Sequence, residues 1–190
     1  MEILILDNYD SFTYNLVHLL RAFEGIHLTV ARNDKITLQE IEKFDKILLS
    51  PGPGIPSEAG IMMDLIKTYA PVKSIFGVCL GMQGIAEAFE GKLSNLSHVM
   101  HGVSSNTFVR DREEKLFRGL PEQFKSGRYH SWVVDHPSLP GCFQVTAVDD
   151  ENHLMAISHK QYDVRGVQFH PESIMTEYGK EMIANWLFAA

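Results

Sequence analysis

Residues 74–89 read SIFGVCLGMQGIAEAF. The first five form a short buried-strand pattern, and the stretch from Leu80 onward is helical in character. One cysteine, Cys79, stands between them with Gly77 and Gly81 on either side. A strand that passes into a helix through so tight a turn forces its central residue into a strained backbone. Glycines on both sides then let sheet and helix approach closely. Such a turn presents the Cys79 thiol instead of burying it. It also sets the thiol at a helix N-terminus, where the macrodipole and free N–H groups favour thiolate. Free cysteines are commonly small core residues as well, so this segment alone leaves a nucleophile and a packing residue both open.

Upstream, residues 2–6 (EILIL) read as a buried strand. Residues 11–25 read as a helix with Phe12, Leu16, Leu19, Leu20 and Phe23 on one face and Gly25 at its end. A strand over 26–31 precedes a helix over 37–44, where Thr37 and Glu40 have capping-box spacing. A strand over 46–49, a Pro/Gly-rich loop over 50–60 and a helix over 61–69 complete the approach to Cys79. Strand and helix in alternation imply an open, mostly parallel sheet with helices on both faces. Past Lys92 the pattern becomes short alternating strands around 103–109, 128–134, 143–148, 153–158 and 164–169, and a helix over 176–187 closes the chain. With no repeat, low-complexity tract or linker, the expectation is one domain over 1–190. Its α/β sheet is extended by antiparallel strands in the second half.

The 190 residues are 45% hydrophobic and 22% charged, enough for a real core. A formal net charge of -7 argues against nucleic acid and anionic membranes as partners, since both call for clustered Lys and Arg. No apolar run approaches the ~20 residues needed to span a bilayer. Met1 leads directly into a strand with no basic leader, and two cysteines are too few for a disulfide framework. A cytoplasmic enzyme is the expectation.

A cysteine nucleophile needs a base and a group that orients it. QFHPE (168–172) offers both: Pro171 holds His170 extended, so His170 and Glu172 can point to one side. Taken singly, His170 reads equally as a surface histidine and Glu172 as a solvated acid. The loop SPGPGIP (50–56) follows a strand at the ligand-binding edge of such sheets. Its glycines let backbone N–H groups approach an oxyanion, although the same sequence also makes a rigid turn. There is no phosphate loop and no dinucleotide fingerprint. His98 and His101 have metal-ligand spacing, but nothing completes a zinc-type set, so neither metal nor cofactor is expected.

SPGPGIP (50–56), GVCLGMQ (77–83) and QFHPES (168–173), in this order, resemble the signature of the triad, or class I, glutamine amidotransferases. DNYDSFTYN (7–15), MHG (100–102) and YHS (129–131) further resemble the glutaminase subunits of anthranilate and aminodeoxychorismate synthases. The resemblance implies that Cys79 is the nucleophile, His170 the base and acid, and Glu172 its orienter. It also implies that the N–H groups of Gly52 and Leu80 hold the oxyanion, and that Gly54, Gln83, Ser131 and Trp132 bind glutamine. The chain departs from the subfamily's common pattern at Met82 (usually His), Val103 (usually Lys) and Trp132 (usually Leu).

The function so implied is hydrolysis of L-glutamine to glutamate and ammonia, with ammonia delivered to a chorismate-using synthase subunit. Tryptophan synthesis ranks ahead of folate synthesis. Two other readings compete: a cysteine hydrolase or peptidase, which would not need Gln83 or DNYDSFTYN, and a non-catalytic binding module, which would be expected to have lost one of Cys79, His170 and Glu172.

Overall fold

The computed structural model describes residues 1–96 and 99–189. Strands β1 (Glu2–Asp7), β2 (His27–Arg32), β3 (Lys46–Leu49) and β4 (Ser74–Val78) alternate with helices α1 (Thr13–Arg21), α2 (Leu38–Ile41) and α3 (Met62–Tyr69). Helix α4 (Leu80–Ala88) follows β4 immediately. After it come β5 (Leu93–Asn95), β6 (Val103–Val109), β7 (Gln123–Arg128), β8 (Trp132–Val134), β9 (Phe143–Val148), β10 (Leu154–His159), β11 (Val164–Val167) and α5 (Gly179–Phe188).

Among the described residues nine strands form one sheet, in the order β2-β1-β3-β4-β11-β10-β9-β6-β7. The first five run parallel, and β10, β9, β6 and β7 add the antiparallel extension. Because side chains alternate along a strand, each face has its own core. Leu4, Leu6, Ile47 and Leu49 pack against Ile41, Met62, Leu65 and Ile85 of α2, α3 and α4. Ile3, Ile5, Leu48 and Phe76 pack against Leu16, Leu20, Ile183 and Trp186 of α1 and α5. Each such side chain, fully buried, contributes roughly 1.5–3 kcal/mol.

The capping box expected at Thr37 forms, with the Thr37 side chain accepting from Glu40 N and Glu40 closing back onto Thr37 N. It opens only one helical turn, since the chain must straighten into β3 at Lys46. Helix α1 starts at Thr13, not at Ser11, because the Asp7 carboxylate gathers Tyr9 N, Asp10 N and the Thr13 hydroxyl and folds residues 8–12 into a turn first. The strand expected over 128–134 is two strands. β7 ends at Arg128, and β8 leaves the large sheet to pair with β5.

Candidate active site

Cys79 sits at φ 53°, ψ -103°, a backbone region costly for any L-residue. The surrounding structure holds it there. Its N–H donates to Val167 O (2.8 Å) and its carbonyl accepts from Gln83 N (3.1 Å), so α4 begins on the cysteine itself. A Cβ on Gly77 would stand 2.4 Å from the Gly81 carbonyl carbon, and one on Gly81 would stand 2.6 Å from Leu49 O. Both glycines are therefore required for helix and sheet to meet. The sequence suggested a presented thiol, but Cys79 is buried, at 6% exposure. The close approach of helix and sheet that allows the turn also covers the cysteine, and access is through cavities.

β11 lies parallel to β4 with Val167 opposite Val78, so the segment leaving β11 runs beside the elbow and brings His170 and Glu172 to it. His170 Nδ1 and Glu172 Oε1 are 2.7 Å apart, with side chains 2% and 0% exposed. Glu172 accepts, so Nδ1 carries the proton and Nε2 is left for Cys79. Burial by itself would lower the His170 pKa. The Cys79 sulfur and the Glu172 carboxylate outweigh it and push the ring up to about 10. His170 is thus charged at neutral pH. Nε2 makes no hydrogen bond of ordinary geometry in this resting structure, as is frequent before substrate binds. Phe12 and Tyr129 pack on the ring at centroid distances of 5.3 and 4.9 Å and limit its rotation.

Two cavities reach Cys79. One, of 180 Å³, is lined by Gly52, Gly54, Gln83, His130, Ser131 and Trp132, among others. The other, of 540 Å³, opens past Asp10, Phe12, Gly52, His101 and His170. A 460 Å³ hollow among Val109, Arg112 and Phe117 contains no cysteine or histidine. Leu80 is the first residue of α4, so its N–H has no acceptor within the helix. The Gly52 N–H makes no hydrogen bond among the described residues. A Cβ on Gly52 would lie 2.7 Å from Asn8 Cβ, Asn8 O and Leu80 Cδ2 alike. Gly52→Ala therefore has to displace the loop from Asn8 and from the Leu80 side chain. We expect a fall of about 10²-fold in kcat, the scale of one lost oxyanion donor, with the thermal midpoint measured alongside to show that the fold persists.

The three departures from the subfamily pattern have separate explanations. Met82 points into the core against Gly166, away from the cavities. The Trp132 carbonyl accepts from Gln83 Nε2 (2.9 Å) and from His130 Nδ1 (3.1 Å), bonds that a residue of any side chain can make at this position. Val103 is exposed at the start of β6, where it touches neither the elbow nor the cavity walls. Burial, assisted by the Arg128 guanidinium, lowers the His130 pKa to about 3, so this ring is neutral and Nδ1 is the donor. Among the described residues no three His, Cys, Asp or Glu side chains gather as a metal site. His101 faces Tyr129, and His98 lies outside the described residues.

The sequence reading did not single out Phe12 and Tyr129 as packing on the histidine, nor Gln168 beside the cysteine. Each stood within a quoted motif. Only the strand order, which no local pattern encodes, brings them to the site.

Fold and geometry define a class: open α/β proteins that set a cysteine on a strand-to-helix elbow against a His–Glu pair from the neighbouring strand. Within that class the chain belongs to the glutamine amidotransferase class-I family, which it matches over residues 4–190. It is 48% identical over 187 residues to the aminodeoxychorismate/anthranilate synthase component 2 of Bacillus subtilis, covering 97% of this chain and 95% of that one. It is also 48% identical to the aminodeoxychorismate synthase component 2 of Escherichia coli, covering 97% and 98%. A solved structure from Thermoplasma acidophilum, of a protein described as one subunit of a GMP synthase, superposes with a TM-score of 0.88 at 26% identity, over 98% of this chain and 92% of that one. The chain is a glutamine amidotransferase.

Proposed function

We propose that residues 1–190 act as one glutaminase unit. In this reading Cys79, His170 and Glu172 form the catalytic triad, and the product ammonia passes to a chorismate-using synthase, that of anthranilate formation. The observation that carries the chemistry is the buried His170–Glu172 pair beside Cys79, with Gly52 on the wall of the small cavity and Leu80, the residue after the cysteine, opening α4. The Cys79 thiolate adds to the glutamine carboxamide, and the two N–H groups stabilise the resulting oxyanion. As that intermediate collapses, His170 Nε2 protonates the departing nitrogen, releasing ammonia and leaving a glutamyl thioester. Neutral His170 then takes a proton from water. The hydroxide so formed displaces the thiolate, yielding glutamate and restoring the imidazolium. Glutamine and water become glutamate and ammonia with no cofactor.

The 180 Å³ cavity suits glutamine: Gly54, Gln83, Ser131 and Trp132 line it around Cys79. The 540 Å³ cavity, on the His170 and Phe12 side, is the exit we assign to ammonia. The names of the relatives support a synthase partner. The B. subtilis and E. coli relatives are each named as component 2 of such a synthase. The E. coli relative favours the folate branch as a second reading. Two free cysteines agree with the reducing cytoplasm, where we place the enzyme.

The partner is expected to raise turnover. Asn8 N donates to Ser50 Oγ (2.8 Å) and Asn8 Nδ2 to Ser50 O (2.8 Å), so the turn after β1 and the oxyanion loop move together. A misplacement of about 1 Å can cost ~100-fold. Glutamate release should therefore be low for the chain alone and rise about 10- to 100-fold with synthase and chorismate, on the same arithmetic. The aminated product identifies the branch. Equal turnover in both conditions at saturating glutamine would make the chain an autonomous glutaminase.

A further inference from the structure

The geometry points to Gln168 as a further catalytic residue: its side-chain amide holds the Cys79 sulfur by donating a hydrogen bond to it. This assignment rests on the reading of Cys79 as nucleophile. Cys79 N bonds to Val167 O, which sets Gln168 directly alongside the elbow. Gln168 is fully buried, and its Nε2 lies 3.5 Å from Cys79 Sγ, within the longer range that sulfur allows.

The orientation of this amide follows from its neighbours. A backbone carbonyl only accepts, so the group of Gln83 that meets Trp132 O at 2.9 Å is its NH₂. The same NH₂ lies 3.1 Å from the Gln168 side chain, which must offer its oxygen there. The Gln168 NH₂ is consequently turned to the sulfur. Polarity runs one way along the relay, from the Trp132 carbonyl on the wall of the small cavity to a donor on the nucleophile. A fully buried amide is costly unless bonded at both ends, and an apolar side chain of the same length would fill the position more cheaply.

Two steps use this donor. It stabilises and aims the thiolate before attack. When water cleaves the thioester, the C–S bond breaks, the electron pair returns to sulfur, and the departing thiolate regains its donor. A thioester sulfur is a weak acceptor, so the bond is strongest when sulfur is anionic, before and after the acyl intermediate.

Gln168→Met keeps length and packing and removes the donor. The test is the rate at which iodoacetamide, a small neutral electrophile, alkylates Cys79, read by peptide mass at several pH values, with kcat and KM for glutamine beside it. We expect alkylation about 5- to 10-fold slower on the acidic limb of its pH profile, the difference closing where the sulfur is fully ionised, and kcat down about 10-fold with KM little changed, as for loss of one hydrogen bond to a charged group. Gln168→Leu also removes the donor and adds no charge, so it serves the same comparison if the Met variant does not fold. Alkylation within about twofold of wild type, whatever happens to turnover, overturns the assignment. Alkylation reads the sulfur itself, whereas the role of Cys79 as nucleophile is read separately from the Cys79→Ala variant.

Discussion

Replacing Cys79 with alanine should reduce glutamine-dependent synthesis by the complex about 10⁵-fold or more, the scale of losing a nucleophile. Synthesis from added ammonia should continue at the wild-type rate. The two activities part because the thiol serves only to release ammonia, and the fold does not depend on it. Alanine is small enough for the elbow, and Gly77 and Gly81 still allow the close approach there. Cys142 cannot substitute. It precedes β9 at the end of the sheet where β11 begins, and the elbow stands where β4 and β11 end. Loss of both activities with the complex intact, or survival of the glutamine reaction, would remove Cys79 from the mechanism.

His170→Ala should cost about 10⁴-fold or more, and Glu172→Gln one to two orders of magnitude less, because the ring moves the proton while the acid orients it and balances its charge. The pH profile separates the two roles. His170 is held charged up to about 10, so glutamine turnover should persist through pH 9 and fall as the ring deprotonates near 10. Glu172 is one of the groups that raise it. In Glu172→Gln the alkaline limb should move to lower pH, since an amide balances the charge less well. The sign for stability runs the same way. A histidine raised above its ordinary 6.5 stabilises the fold fully below that value, and this contribution is lost as pH rises through about 10. An alkaline limb unmoved by Glu172→Gln would mean that the carboxylate does not set the charge on the ring.

Much of the fold was legible because its strands are short, apolar and punctuated. β3 and β4 lie where the sequence places them, and the glycines of the elbow have the spatial reason inferred for them. Legibility ended where pattern and pairing diverge. Alternation runs on from Arg128 to Val134, yet Tyr129, His130 and Ser131 turn out of the ladder to line the cavity at Cys79. The partner of β8 is a three-residue strand, Leu93–Asn95, too short to show a period. The triad candidates could be named from their chemistry. That they meet depends on β11 pairing with β4, a contact between residues far apart in sequence that no local signal encodes. The relay through Gln83 and Gln168 is further still from the sequence, because the direction of an amide follows from its neighbours in space.

The most direct test of a glutamine-cleaving site at Cys79 is to mix the chain with isotopically labelled glutamine, quench in acid during turnover, and locate the label by peptide mass. The label should sit as a glutamyl thioester on the peptide containing Cys79 and disappear in Cys79→Ala. Turnover with no label on Cys79, or with the label on Cys142, would contradict the account.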